Sequence, residues 1–110
     1  MSYKVITIPA FEKRIKKLAK KYPSLKLEYI NLVHNLEENP IQGTPIGNNC
    51  YKIRVSVLSK GKGKRGGVRV ITYVHITDTE VYLLSIYDKS EQENISSKEL
   101  EGLLKWIANK

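Results

Sequence analysis

The chain has 110 residues, 41% of them hydrophobic, which suffices for one compact domain over residues 1–110 and leaves no material for a second. Lys and Arg number 19 against 11 Asp and Glu, a net charge of +8, so the field favours polyanions, nucleic acid first and an anionic membrane surface second, unless the charge serves only solubility. The single cysteine, Cys50, excludes an intramolecular disulfide and a thiol-built zinc site, and the short apolar start before the first charged run is too brief for a signal peptide or membrane span. The expectation is a cytoplasmic protein with no membrane association.

Tyr3 to Ile8 is rich in β-branched residues and ends at Pro9, which cannot donate to a sheet ladder but suits the first turn of a helix; this predicts a first strand. Phe11, Ile15, Leu18 and Tyr22 then recur at helical spacing among Lys13, Arg14, Lys16, Lys17, Lys20 and Lys21, a strongly basic amphipathic helix that Pro23 stops. Such a charge run is usually a solvated face, and a nucleic-acid or ribosome-facing surface is the alternative. Ser24 is positioned to cap a second helix with Leu25, Tyr29, Leu32, Val33 and Leu36 on one stripe, closed by Asn39-Pro40. The two helices form an antiparallel hairpin.

Ile41 to Asn49 carries two glycines, two asparagines and a proline and reads as a loop. The period then changes to two. Tyr51, Ile53, Val55 and Val57 alternate with Lys52, Arg54 and Ser56, a half-buried strand with a basic outer face. The run from Ser59 to Gly67 links it to a strand from Val68 to His75, so the pair reads as a hairpin with a basic tip; Thr77-Asp78 turns the chain into a last strand, Val81 to Tyr87. Ser96 or Ser97 caps a final helix in which Leu100, Leu103, Leu104 and Ile107 pack on the sheet, with Trp106 at its edge. The order β-α-α-β-β-β-α is an α+β fold, with helices gathered on one face of a small, mostly antiparallel sheet and the other face free for a ligand.

The strongest chemical feature is Lys60 to Tyr73. Its glycines allow a phosphate to approach the backbone closely, and Lys60, Lys62, Lys64 and Arg65 neutralise phosphate charge; lysines guarding an exposed hairpin tip against aggregation are the competing reading. Arg69, Ile71 and Tyr73 share one strand face, and Lys52 and Arg54 share one face of the strand before. If the faces coincide, cations and a tyrosine converge where burial without a counter-charge is expensive. RNA brings its own nucleophile, the 2′-hydroxyl. An RNase therefore needs only proton transfer and stabilisation of the phosphorane, which arginine and lysine supply. His34 reads as a packing or surface residue and His75 as strand-end packing, with catalysis the minor alternative. Cys50 reads as a half-buried thiol, and neither a histidine pair nor an acidic cluster has metal-ligand spacing; no metal and no small-molecule cofactor are expected.

The segments Gly63 to Tyr73 and Leu83 to Ile95, with Tyr51-Lys-Ile-Arg54 upstream, resemble the RelE/ParE toxin superfamily and within it the HigB-like branch, in the same element order over nearly the whole chain. The resemblance implies the toxin of a type II toxin-antitoxin system, an endoribonuclease (mRNA interferase) that enters the ribosomal A site, cleaves mRNA by 2′-hydroxyl attack and is silenced by a cognate antitoxin. Carried over by position, Arg69 holds the scissile phosphate, Lys64 and Arg65 belong to the RNA-contacting loop, Lys89 is the cation after the last strand, and Arg54 adds a contact; Lys52, on the same strand face as Arg54, is a further RNA-binding candidate. Some relatives use a carboxy-terminal tyrosine as general base. Residues 90–110 contain no tyrosine, so Tyr87, Tyr73 and Lys64 are the alternatives for proton transfer. A ParE-like DNA gyrase inhibitor and a catalytically silent module binding RNA or an antitoxin are the competing functions.

Overall fold

The computed structural model of the protein describes residues 2–60 and 66–109. Strand β1 (Lys4–Thr7) leads into helices α1 (Pro9–Lys21) and α2 (Leu25–Glu38), then strands β2 (Thr44–Gly47), β3 (Cys50–Val55), β4 (Val68–His75) and β5 (Glu80–Asp88), and helix α3 (Ser97–Ala108). The strands form one five-stranded sheet in the order β1-β5-β4-β3-β2. Only β1 and β5 run parallel, with Lys4 beside Glu80 and Thr7 beside Leu83; the other neighbours are antiparallel. The expected α+β fold is the one observed.

Pro9 starts α1 and Phe11 is its fully buried anchor, while the lysines of the helix stay at the surface. Leu25, Leu32 and Leu36 are the buried positions of α2. Ser24 occupies the N-cap position of α2 without capping it: its hydroxyl donates to Glu28 at 3.1 Å and accepts the Ser59 N–H at 2.9 Å, tying the helix to the chain after β3. The cap on α3 forms as expected, with Ser96 Oγ accepting the Glu99 N–H at 3.0 Å.

β4 is the central strand, and Val68 to Thr72 are buried without alternation because both faces of the sheet are covered. Val68, Val70, Ile53 and Val55 share the face on which the α1-α2 hairpin packs. Arg69, Ile71 and Tyr73 face the opposite way. That second face is not open, contrary to the sequence expectation: Leu100 is buried in the core cluster, Leu103, Leu104 and Ile107 pack against it, and Leu104 and Ile107 line one pocket with Tyr73. Helix α3 therefore forms a third layer over the face that the α1-α2 hairpin leaves uncovered.

The segment read as a loop contains β2. Asn48 (φ 56°) and Asn49 (φ 61°) take left-handed backbone and turn β2 onto β3, with an irregularity between Pro45 and Gly47 that keeps this edge strand short. β3 ends at Val55, earlier than expected. A 3-10 turn, Leu58–Lys60, follows, and Val57 is fully buried ahead of it.

Candidate nucleic-acid interface

Register settles what alternation alone left open. Arg54 lies directly opposite Arg69, Lys52 opposite Ile71 and Cys50 opposite Tyr73, so the two basic faces coincide. On the other side of β4, Tyr87 lies opposite Arg69 and Ser85 opposite Ile71. Three neighbouring strands thus set Arg54, Arg69 and Tyr87 in a row, with backbones about 5 Å apart. Like charges directly opposite one another weaken a sheet.

The pairing with Tyr87 depends on a bulge. Counted from His75–Glu80, a regular ladder would put Ile86 opposite Arg69; the register shifts between Ile71 and Thr72, which leaves Leu84 as an extra residue and advances β5 by one. The same shift brings Ser85 and Tyr87 onto the face that holds Tyr82 before it.

Arg69 is 3% exposed and Tyr87 is 4% exposed, while Arg54 is open to solvent. Burial pushes the Arg69 guanidinium below its ordinary range, the Arg54 cation adds to this, and Tyr87 works against it. Burial likewise raises the Tyr87 phenol, opposed by Arg69 and by the nearby Ile95 backbone, and its buried hydroxyl lacks a well-formed hydrogen bond. At neutral pH Tyr87 is a phenol, able to donate a proton. Lys52 joins the row from below, its Nζ donating to Asn94 Oδ1 at 2.9 Å. Lys89, two residues past Tyr87, is partly exposed and lies 3.7 Å from Glu93.

Other expected members fall elsewhere. Tyr73 shares the face but is four residues from Arg69 along β4, about 13 Å at the usual strand rise; it packs with Tyr82 at a ring-centroid distance of 6.0 Å and stacks on His75 at 6.0 Å. Lys60 corrects the expectation of a phosphate-contacting cation: its side chain is 6% exposed and its ammonium is paired with the buried Asp88. Lys62, Lys64 and Arg65 lie outside the described residues. His34 is a surface residue 4.0 Å from Glu37. Cys50 is fully buried, and burial pushes its thiol up to about 11, so it is no nucleophile at neutral pH.

Sequence reasoning missed one cluster. Contrary to the expectation that no acidic group has metal-ligand spacing, the β4-β5 turn brings His75, Asp78 and Glu80 together, with potential ligand atoms within 4.8 Å of one another. Zinc, manganese or magnesium chemistry suits such donors, but they sit at the opposite end of β4 from Arg69. Among the described residues, no helix is long and apolar enough to cross a membrane.

Fold and site together define a small basic α+β domain that sets cations and a buried phenol in a row across the centre of a sheet. Three solved structures share the fold. A doubly substituted E. coli RelE toxin in the free state matches with a TM-score of 0.64 at 19% identity, over 97% of this chain and 99% of that one. A toxin-antitoxin complex of RelBE2 from Mycobacterium tuberculosis matches with 0.60 at 16% identity, over 80% and 99%, and isolated E. coli RelE with 0.54 at 21%, over 94% and 98%. The sequence profile of the RelE toxin of the RelE/RelB toxin-antitoxin system matches residues 10–110, and the chain belongs to this RelE toxin family.

Proposed function

We propose that the protein is the toxin of a type II toxin-antitoxin system, of the HigB-like branch, and that it cleaves mRNA in the A site of the ribosome. The observation that carries this reading is the row Arg54, Arg69, Tyr87 across β3, β4 and β5. Attack by the 2′-hydroxyl on the adjacent phosphate concentrates negative charge on the phosphoryl oxygens, and two opposed guanidiniums fixed on a sheet meet that charge without reorganising. Tyr87, held protonated by burial, is suited to protonate the departing 5′-oxygen rather than to act as base. Lys52 and Lys89 hold the flanking phosphates, and Lys62, Lys64 and Arg65 are further RNA contacts, with Lys64 a candidate base. The nucleophile comes from the substrate and the charge is met by side chains, so the reading needs neither metal nor cofactor.

Arg69 is 3% exposed, so on this reading its cover must yield before RNA reaches it. A cytoplasmic antitoxin is the proposed partner that holds the toxin silent between episodes of activity.

The test is induced expression of wild type and Arg69→Ala, with primer extension on a reporter mRNA in cells and on purified ribosomes. Cuts inside translated codons that disappear in the variant support the reading, with an expected loss of about a hundredfold or more. Growth arrest without cuts would redirect attention to gyrase, and neither arrest nor cuts to a silent binding module.

A further inference from the structure

The most demanding polar arrangement in the described structure lies just behind the cationic row. Asp88, the last residue of β5, is 3% exposed. Its Oδ1 accepts Lys60 Nζ, the Ser90 N–H at 2.9 Å and the Ser90 hydroxyl at 2.7 Å, and its Oδ2 accepts the Tyr22 hydroxyl at 2.6 Å. The Lys60 ammonium also lies 5.1 Å from the centroid of the Tyr22 ring. Two ions out of water gain little net stability, and apolar residues of similar volume often serve a core equally well. What distinguishes this carboxylate is the number of elements that it fixes at once.

Tyr22 is the C-cap of α1, Lys60 closes the turn after β3, and Ser90 belongs to the turn after β5. The backbone carbonyl of Asp88 accepts the N–H groups of Glu91 at 3.0 Å and Gln92 at 3.1 Å, so one residue shapes the whole turn that carries Lys89. The Lys89 N–H in turn donates to Gly67 O at 3.2 Å, at the entrance to β4. Asp88 stands opposite Val68, and the next pair along the ladder is Tyr87 with Arg69. Its side chain points to the helical-hairpin face, away from the cationic row.

We propose that Asp88 is a positioning residue for that row: its carboxylate, clamped by Lys60, Tyr22 and Ser90, holds Lys89 and the Tyr87–Arg69 pair in the arrangement that engages a phosphodiester. This rests on the RNA-cleaving reading above, and it assigns Lys60 to the scaffold of the site rather than to the substrate. Burial alone would raise the Asp88 carboxyl, but the bonds from Lys60, Tyr22 and Ser90 more than reverse this and keep it well below the usual carboxylate range. The carboxylate is therefore ionised throughout the neutral range.

The test compares wild type with Ser90→Ala, Lys60→Arg and the double variant Lys60→Met/Asp88→Leu, by ribosome-dependent cleavage kinetics, thermal melting and amide exchange. The double variant removes both charges together and is expected to stay folded. Its turnover should fall about tenfold or more with KM changed less than about threefold. Exchange at Lys89 to Gln92 should rise about tenfold while Val70 and Val74 keep wild-type protection. Ser90→Ala, which keeps the ion pair, should move both readouts the same way by a smaller factor, and Lys60→Arg should retain most of the turnover. Wild-type turnover and wild-type exchange at Lys89 to Gln92 in Ser90→Ala or in a folded double variant would overturn the proposal. If the wild type itself makes no cuts, the RNA-cleaving reading fails, and unchanged exchange in the variants would then separately refute the clamp.

Discussion

Arg69 and Tyr87 face each other across β4 and β5 as a direct cross-strand pair, and the pairing exists only because Leu84 is an extra residue on β5. Each alters the other's environment: the guanidinium draws the buried phenol down against the rise that burial imposes. The Tyr87 hydroxyl is buried without a well-formed hydrogen bond, which is a cost to the folded state.

Tyr87→Phe separates those two effects. Removing a buried hydroxyl that lacks a well-formed hydrogen bond should leave stability unchanged or raise it by about 1 kcal/mol, read from a urea midpoint. Cleavage should drop by about a hundredfold, the usual weight of a positioned proton donor. A variant that keeps full turnover would remove Tyr87 from the chemistry.

The seat of α3 on the sheet can be loosened by removing one ion pair. Arg14 of α1 and Glu99 of α3 form an ion pair at 3.2 Å, with 43% and 32% of the side chains exposed, and Arg14 also reaches Ser85 Oγ at 3.4 Å. Glu99→Ala should cost less than about 1 kcal/mol, because exposed pairs contribute little. It should nevertheless raise amide exchange in α3. Unchanged exchange across Leu100 to Ile107 would show that the ion pair does not hold the helix down.

Two glycines give opposite expectations. A Cβ on Gly67 would lie 2.0 Å from the carbonyl oxygen of Val55, which is backbone and cannot swing aside; Gly67→Ala should cost at least about 2 kcal/mol by forcing β3 from the entrance to β4. Gly102, within α3, has nothing within 4 Å of such an atom. Gly102→Ala should stabilise the helix by roughly 0.5–1 kcal/mol. Thermal melting of both variants checks the pair, and equal shifts would contradict it.

Acid should weaken the fold through Asp88. Its folded pKa lies below the unfolded value, so the native state binds fewer protons, and stability from this group rises with pH between the two values. The contribution is complete above about pH 5, where an unfolded aspartate is ionised, and is lost as pH falls through the folded value. Asp88→Asn, neutral throughout, should show a shallower fall in stability between about pH 5 and 2. Parallel acid titrations of wild type and variant would deny Asp88 this role.

Periodicity made the order of elements legible. The apolar stripe of α1, the alternation from Tyr51 to Val55 and the serine cap of α3 each follow from local chemistry, and the fold class follows from their sequence. The site was half legible. Arg69 and Arg54 could be placed on strand faces, but their opposition needed the register, and Tyr87 needed a bulge that no local pattern announces. β2 escaped because four residues containing a proline and a glycine look like a turn and become a strand only against β3. Lys60 reads as one more cation of a basic run, and its withdrawal into the core depends on Asp88, which is distant in sequence and close only after folding. The layer on the second face was missed because an amphipathic helix shows which of its own faces is apolar, not which face of the sheet that stripe will cover.

The parallel pairing of β1 with β5 also sets a schedule for biosynthesis. Positions 4–7 find their partners only at positions 80–83, so the first strand made must wait, unpaired, until the last strand has been translated. Loop closure over such a separation is slow, and the nascent chain cannot complete its sheet earlier. Because Tyr87 and the Asp88 clamp lie in that same last strand, the cationic row is assembled only when the sheet itself closes, and an interrupted translation product ending before β5 would carry the arginines without the geometry that gives them an activity.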